Sequence, residues 1–234
     1  PQIDKSFDKL AQYVHAYEQK MIMKREVIAN KGIWTAKKRY ILNVYNDEGV
    51  ELKQPKLKIM GIEAVKSSTP APCRVKIKEA LKVIMTKDES ALIQFIDDFR
   101  VHFKKLRPEE IAYPRSCNNL RKYSSTTDIY QKGTPMHVRG ALMYNHLLEK
   151  HNLGMKYEAI QEGEKIKFLY LKEPNTIREN CIGFIGKIPK ELDIHRYVDY
   201  NTMFEKSFLE PIKQIIEGLG WKTEVTASLE DLFA

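Results

Sequence analysis

Three short stretches of this chain place cations and hydroxyls where the backbone turns or a helix begins. Lys37, Lys38, Arg39 and Tyr40 stand at the head of a strand-like run, Lys66, Ser67, Ser68 and Thr69 precede Pro70, and His137 and Arg139 follow Thr134 and Pro135 by a few residues. Free N–H groups and the helix dipole already favour an anion at such positions, and Lys, Arg, His and hydroxyl side chains add charge and donors. This is the chemistry of phosphate binding. None of the three stretches reads as a helix that presents side chains to base edges, so the pattern predicts a surface that follows a nucleic-acid backbone without reading its sequence. Strand alternation predicts that Lys38 shares a face with Tyr40, and Lys37 with Arg39. Any one of these stretches alone would be an ordinary solvated surface.

The bulk properties agree with a polyanionic partner. The 234 residues carry a net charge of +8 and are 43% hydrophobic and 10% aromatic, enough to bury a core and to exclude global disorder. Cys73, Cys117 and Cys181 are odd in number, far apart and without a C-x-x-C pair, which argues against a disulfide framework or zinc knuckle and for a reducing compartment. No apolar run approaches the roughly 18–20 residues of a membrane span and no signal-peptide pattern opens the sequence, so a cytoplasmic protein is expected. Asp97-Asp98 falls on the polar side of a helical period and reads as a pair of solvated carboxylates rather than a metal site.

The elements that must position these groups follow from periodicity. "SFDKLAQYVHAYEQKM" carries Phe7, Leu10, Tyr13, Val14 and Tyr17 at helical spacing. "MIMKREVIAN" reads as a strand closed by "NKG", "NDEG" as a reversal, and Leu57 and Ile59 alternate with Lys56 and Lys58 in a further strand. Past "KSSTPAP" the period changes to helical, with Ser68 or Thr69 as cap and Ile77, Leu81 and Ile84 on one face. Leu92, Phe95, Ile96, Phe99 and Phe103 mark a second helix. "YPRSCNNLRKYSSTTDIYQKGTP" reads as a long polar loop, leading to a helix capped by Thr134 and ended before Gly154. "EKIKFLYL" and "CIGFIG" form a small β segment, Phe204, Phe208, Ile212, Ile215 and Ile216 a last amphipathic helix, and Trp221 is assigned to the core beneath it. The fold class expected is α+β, with a division near residue 70.

"KKRY", "PKLKIMGIEAVKSSTP", "PMHVRGALMYN" and the terminal "SLEDLF", in that order and spacing, closely resemble the C-terminal quarter of the replicative family B DNA polymerases of tailed bacteriophages. The resemblance implies that residues 1–69 are the C-terminal part of a palm domain, 70–226 a thumb, and 227–234 a sliding-clamp-binding tail. It also implies that Lys37, Lys38, Arg39 and Tyr40 lie on a palm hairpin against the primer–template duplex. Lys38 then takes the role of a minor-groove donor, testing pair geometry through the acceptor that every correct pair presents there, and Tyr40 holds the primer end. Lys66, Ser67, Ser68 and Thr69 match the palm-to-thumb junction, and His137 and Arg139 a thumb helix along the duplex. The family's aspartate segments of the D-x-x-S-L-Y-P and Y-x-D-T-D-S types, which hold two Mg2+ ions for phosphoryl transfer, are absent from this sequence. The expectation is therefore a C-terminal piece, naturally split or cut, that binds no cofactor itself. Its partners would be duplex DNA, the remaining polymerase polypeptide with exonuclease, fingers and catalytic palm, and the sliding clamp, with no membrane.

The tail has two readings. Leu229, Leu232 and Phe233 either cover the last helix or form a portable clamp-binding peptide; the resemblance favours the second, although the chain stops one residue after Phe233 where the family continues to a further aromatic. For the whole chain, the alternative to a polymerase part is a free-standing, non-enzymatic accessory protein that binds duplex DNA and recruits a clamp. The discriminating feature is the first sheet: an exposed apolar face implies a missing palm, and a closed sheet an independent protein.

Overall fold

The computed structural model describes residues 2–224, so the tail bearing Leu229, Leu232 and Phe233 lies outside the described residues. The fold is α+β, and the chain divides into two compact units, Pro1–Met60 and Gly61–Ala234.

The first unit opens with α1 (Gln2–Tyr13) and continues, after a stretch without regular structure, into an antiparallel sheet of β1 (Val27–Ala36), β2 (Arg39–Asp47) and β3 (Val50–Met60) in the order β1-β2-β3. "NDEG" is the predicted reversal: Asp47 pairs with Val50, and Glu48 and Gly49 both take positive φ (50° and 95°), the backbone sign pattern of a tight hairpin whose twist matches its strands. Asn46, itself buried, accepts a hydrogen bond from the Gly49 N–H at 3.1 Å and steadies the turn.

The other hairpin differs from the sequence expectation. "NKG" does not end a strand; it lies inside β1, and the reversal falls instead on Lys37-Lys38, with Ala36 paired to Arg39. Gly32 serves packing rather than turning, because a Cβ there would stand 2.5 Å from the Trp34 ring. α1 ends at Tyr13, before Val14 and Tyr17 of the predicted helical stripe, and residues 21–26 of the predicted strand "MIMKREVIAN" are not part of the sheet.

The second unit holds most of the buried apolar side chains. α2 (Ala71–Thr86) packs on α3 (Glu89–Phe103), which starts at Asp88, whose carboxylate accepts from the Ala91 N–H at 2.9 Å. A short α4 (Pro108–Ile111) leads to β4 (Tyr113–Ser116), and α5 (Leu120–Tyr123) precedes the long α6 (Met136–Lys150). β5 (Lys165–Tyr170) and β6 (Cys181–Phe184) complete a second antiparallel sheet, β4-β5-β6. α7 (Tyr200–Phe204) and α8 (Glu210–Ile216) close the unit, joined by a π-helical turn, Glu205–Leu209. Pro211 supplies a reason for the widened turn, since it lacks the N–H that an α-helical ladder needs and its ring crowds the preceding turn.

The core forms where the periodicity places it. Phe99 meets Phe208 edge-on with ring centroids 4.7 Å apart, and Phe103 meets Phe204 at 5.4 Å. α6 lies directly on β6 because two glycines face each other: a Cβ at Gly140 would sit 2.6 Å from the Gly183 nitrogen, and one at Gly183 2.9 Å from the Ala141 nitrogen. Cys73, Cys117 and Cys181 are buried free thiols, and burial pushes Cys73 up to about 12 and Cys117 to about 11, so neither is a thiolate at neutral pH.

Several local expectations need correction. Ser68 and Thr69 do not cap α2, and Thr134 does not cap α6; Pro70 and Pro135 occupy those cap positions without a side-chain acceptor, and the Thr134 hydroxyl donates backward to the Gln131 carbonyl at 2.6 Å. Asn152, not Gly154, takes the left-handed residue after α6 (φ 55°). The supposed long loop contributes β4 and α5. Trp221 is half-exposed and lines a shallow groove of about 490 Å³ with Ile216 and Lys213 rather than entering the core.

Candidate nucleic-acid interface

In the first unit the cationic stretch is a hairpin tip. Lys37 and Lys38 are the exposed turn residues and Arg39 and Tyr40 begin β2, half-buried. The strand alternation expected for this stretch therefore fails at Lys37 and Lys38, because neither belongs to a strand. Lys38 takes a left-handed backbone (φ 62°), a conformation costing a non-glycine residue roughly 1–2 kcal/mol, and it projects from the tip. Tyr40 pairs across the sheet with Trp34 on one side and Met60 on the other, so these three side chains share a face, and Trp34 is 69% exposed. The tip thus combines two free-standing ammonium groups with an accessible aromatic.

In the second unit, Lys66 closes a 3-10 turn, Glu63–Val65, and its Nζ lies 2.7 Å from Glu63 Oε1. Ser67 is exposed, Ser68 half-buried and Thr69 buried. Sequence reasoning missed the residue that fixes this turn. Arg115, on β4, donates from Nη1 to the Ser68 carbonyl at 2.7 Å, and its guanidinium lies 5.5 Å from the centroid of the Tyr113 ring. In the sequence "YPRS" reads as part of a loop; the pairing of Tyr113 with Phe168 in β5 gives Arg115 a fixed direction. Lys66, Ser68, Thr69, Arg115, Tyr170 and Lys206 line a cavity of about 270 Å³ with Glu63 and Glu210 at its rim. Lys206 lies 5.7 Å from the Tyr170 ring centroid and 3.9 Å from Glu210.

α6 separates the two residues that the sequence placed together. Positions two apart on a helix point roughly 200° from one another, so His137 and Arg139 cannot serve one surface. His137 faces the sheet, its ring 6.3 Å from Phe168, which in turn stacks on Tyr113 at 5.2 Å. Burial pushes the His137 pKa below its ordinary value and the charge of Arg115 lowers it further, so the imidazole is neutral at pH 7. The Arg115 guanidinium thus holds the Lys66–Thr69 turn and acts on His137 through its charge. Arg139 turns the other way. Its Nε lies 3.6 Å from Glu179 Oε2, its guanidinium 5.6 Å from the Tyr130 ring centroid, and it also donates to Asn180; Tyr130 in turn donates to Glu179, and burial together with that carboxylate pushes the phenol up to about 12. This network ties α6 to the start of β6 and to the 124–131 segment, which a Ser124–Tyr130 bridge holds in a loop.

Asp97 is paired with Arg100 at 3.9 Å, Asp98 accepts from Gln94 at 2.9 Å, and among the described residues no three His, Cys, Asp or Glu side chains converge as metal ligands. A Mg2+ ion of the kind used for phosphoryl transfer does not fit these residues. No described helix is long and apolar enough to cross a membrane.

The comparisons with known proteins name the class. The chain is homologous, from end to end, to bacteriophage DNA-directed DNA polymerases. It is 33% identical over 250 residues to the DNA-directed DNA polymerase of Enterobacteria phage T4 and 35% identical over 246 residues to that of Escherichia phage RB69, each match taking in the whole of this chain. The chain spans 27% of the length of either relative. No protein-family model matches it.

Proposed function

We propose that this chain is the C-terminal palm and thumb part of a family B DNA-directed DNA polymerase, holding product duplex while the Mg2+-binding aspartates lie on other polymerase sequence. Residues 1–69 complete the palm, 70–226 form the thumb and 227–234 are a clamp-binding tail. The observation that carries this reading is the end-to-end homology with phage polymerases in a chain whose cations gather at a hairpin tip and a helix-start turn. The chain acts in a bacterial host's cytoplasm and does no phosphoryl transfer by itself.

The roles follow from chemistry at each place. Lys37, Lys38 and Arg39 meet the duplex at the hairpin tip; Lys38 reaches the minor groove, where a donor finds an acceptor on either purine N3 or pyrimidine O2, and Tyr40 supports the primer end. Lys66, Ser67, Ser68 and Thr69 contact phosphates through side chains and backbone amides, with Glu63 yielding Lys66 when a phosphate arrives. His137 adds a contact beside Arg115, and Arg139 acts chiefly by holding α6 and the 124–131 loop in register with the duplex.

Primer extension with the full chain tests the reading. Added to the polymerase polypeptide that carries the aspartate motifs, it restores templated synthesis; measurable synthesis by the chain alone, in a preparation free of host polymerase, overturns it. The accessory alternative requires the first unit to close its own core, and the exposure of that unit favours the polymerase part. For the tail, deletion of residues 228–233 leaves duplex affinity intact and abolishes clamp-stimulated long synthesis. A lower melting temperature with clamp stimulation retained would make the tail structural.

A further inference from the structure

We infer that the second unit binds a nucleoside phosphate beside the C-terminal half of α6, in a cavity of about 670 Å³. The inference does not depend on the polymerase reading, because it rests on four side chains that line one space. Met143, His146, Leu147 and Lys150 share a face of α6, at the i, i+3, i+4 and i+7 positions that helical geometry brings together, and His151 follows at the helix end. Arg178 reaches the same cavity from the loop between β5 and β6.

The charge of the cavity picks out an anion. Lys150 and Arg178 are exposed, and neither makes an ion pair among the described residues. The two carboxylates at the wall are both taken. Glu191 accepts from Lys156 and, at 2.9 Å, from Tyr157, bonds that pull its carboxyl down to about 2, and Asp193 pairs with Arg196 at 2.5 Å. The helix dipole accounts for a lysine and a histidine at the end of α6, but not for Arg178. That residue takes a left-handed backbone (φ 55°), which is costly for a side chain with a Cβ, and Asn175 holds the loop in place: its Oδ1 accepts from the Ile177 N–H at 3.1 Å, and its Nδ2 donates to the Lys172 and Glu179 carbonyls, each at 2.7 Å. A cation without an acid partner is thereby presented from a fixed position.

Size and walls narrow the ligand further. A lone phosphate fills little of such a volume, which lies in the range of small-molecule sites, and Met143, Leu147, Ile177 and Leu192 supply an apolar wall for a flat ring. Ile129 and His146 also line a neighbouring cavity of about 950 Å³, which holds Asp128, Glu149 and Glu179. A nucleic-acid strand running along α6 would have to cross those carboxylates, whereas a compact anion stays on the cationic side. Phosphate oxygens thus meet Arg178, Lys150 and the two imidazoles, and the base lies on the apolar wall.

Isothermal titration of the full chain with dATP in EDTA, set against pyrophosphate and deoxyadenosine, tests the assignment. dATP should bind more tightly than pyrophosphate, and deoxyadenosine not measurably. Arg178→Gln and Lys150→Gln should each weaken dATP binding about tenfold, the loss of one charged hydrogen bond, while Lys104→Gln, at an exposed lysine that ends α3, leaves it unchanged. If Arg178→Gln also lowers the melting temperature, Lys150→Gln, at an exposed helix position, decides. No binding at millimolar dATP, equal losses in all three variants, or pyrophosphate binding as tightly as dATP overturns the inference. A single-stranded oligonucleotide that displaces dATP at far lower concentration gives the cavity to a nucleic-acid strand and overturns it as well.

Discussion

The two units of this chain solve the burial problem in opposite ways. In the second, helices α2, α3, α7 and α8 interlock Phe99, Phe103, Phe204 and Phe208, and α6 approaches β6 so closely that two glycines are needed at the contact. In the first, the buried apolar side chains are Ile41 and Val44 on β2, while α1 buries none. An isolated three-stranded sheet with one open helix does not bury enough to repay its ordering, so the first unit reads as a component and the second as a body. Cations differ in a similar way at the candidate sites: Lys37 and Lys38 are exposed at a hairpin tip, whereas Lys66, Arg139 and Lys206 of the second unit each lie beside a carboxylate.

The comparison breaks most plainly at catalysis. The isolated chain should show no primer extension with any divalent cation, a complete loss relative to the joined enzyme, and gel-based extension assays read it directly. It can be sharpened by core truncation. Phe208→Ala should destabilise the second unit by about 3–5 kcal/mol in denaturant unfolding, whereas Leu10→Ala should change the unfolding free energy by less than about 0.5 kcal/mol. Equal losses would mean that α1 is packed after all.

How far all this was legible in the sequence also divides by unit. Apolar stripes such as Leu92, Ile96, Phe99 and Phe103 announced the second unit's helices because each buries one continuous face, and the structure buries those residues. In the first unit the turn assignment failed: Asn-Lys-Gly carries strong turn chemistry, yet Gly32 is kept for the ring of Trp34, and two lysines make the reversal that no local propensity indicates. The candidate site was half legible. Its cations could be named, but helix geometry alone could have warned that His137 and Arg139 diverge, and Arg115 was invisible because its direction depends on pairing between β4 and β5, separated by some fifty residues.

The next effects concern DNA. Binding by the full chain should be independent of sequence and weaken with salt at a log–log slope of roughly −0.9 per phosphate contacted. Filter binding at several salt concentrations measures it, and a flat response would remove the interface. Within it, Lys38→Ala should slow extension past a correct pair in the joined enzyme more than it lowers affinity, since a groove donor contributes geometry. Arg139→Ala should lower the melting temperature first and affinity only secondarily, because it leaves Glu179 without its guanidinium partner. Parallel loss of affinity in both variants, with stability unchanged, would mean that Arg139 contacts DNA directly.

The smallest effect is the most discriminating, because it sets the sign of a pH dependence in the free protein against that in the complex. His137 has a folded-state pKa below its ordinary 6.5, chiefly through burial and further through Arg115. The unfolded chain therefore binds more protons than the folded one between those two values, and stability is full above the unfolded pKa and falls as pH drops through 6.5 toward the folded value. A phosphate seated beside Arg115 and His137 reverses the balance, since the anion favours the imidazolium and opposes the arginine that suppressed it. Duplex affinity should then rise over the same acidic interval in which the free protein loses stability, with proton uptake on binding. His137→Gln removes both trends while leaving the other five histidines to report the background. Melting curves and salt-matched titrations at pH 7.5 and 5.8, compared between the two proteins, give the test. If the substitution flattens the stability profile and leaves the affinity profile unchanged, His137 packs beside Phe168 without facing a phosphate, and the interface in the second unit is confined to the Lys66–Thr69 turn.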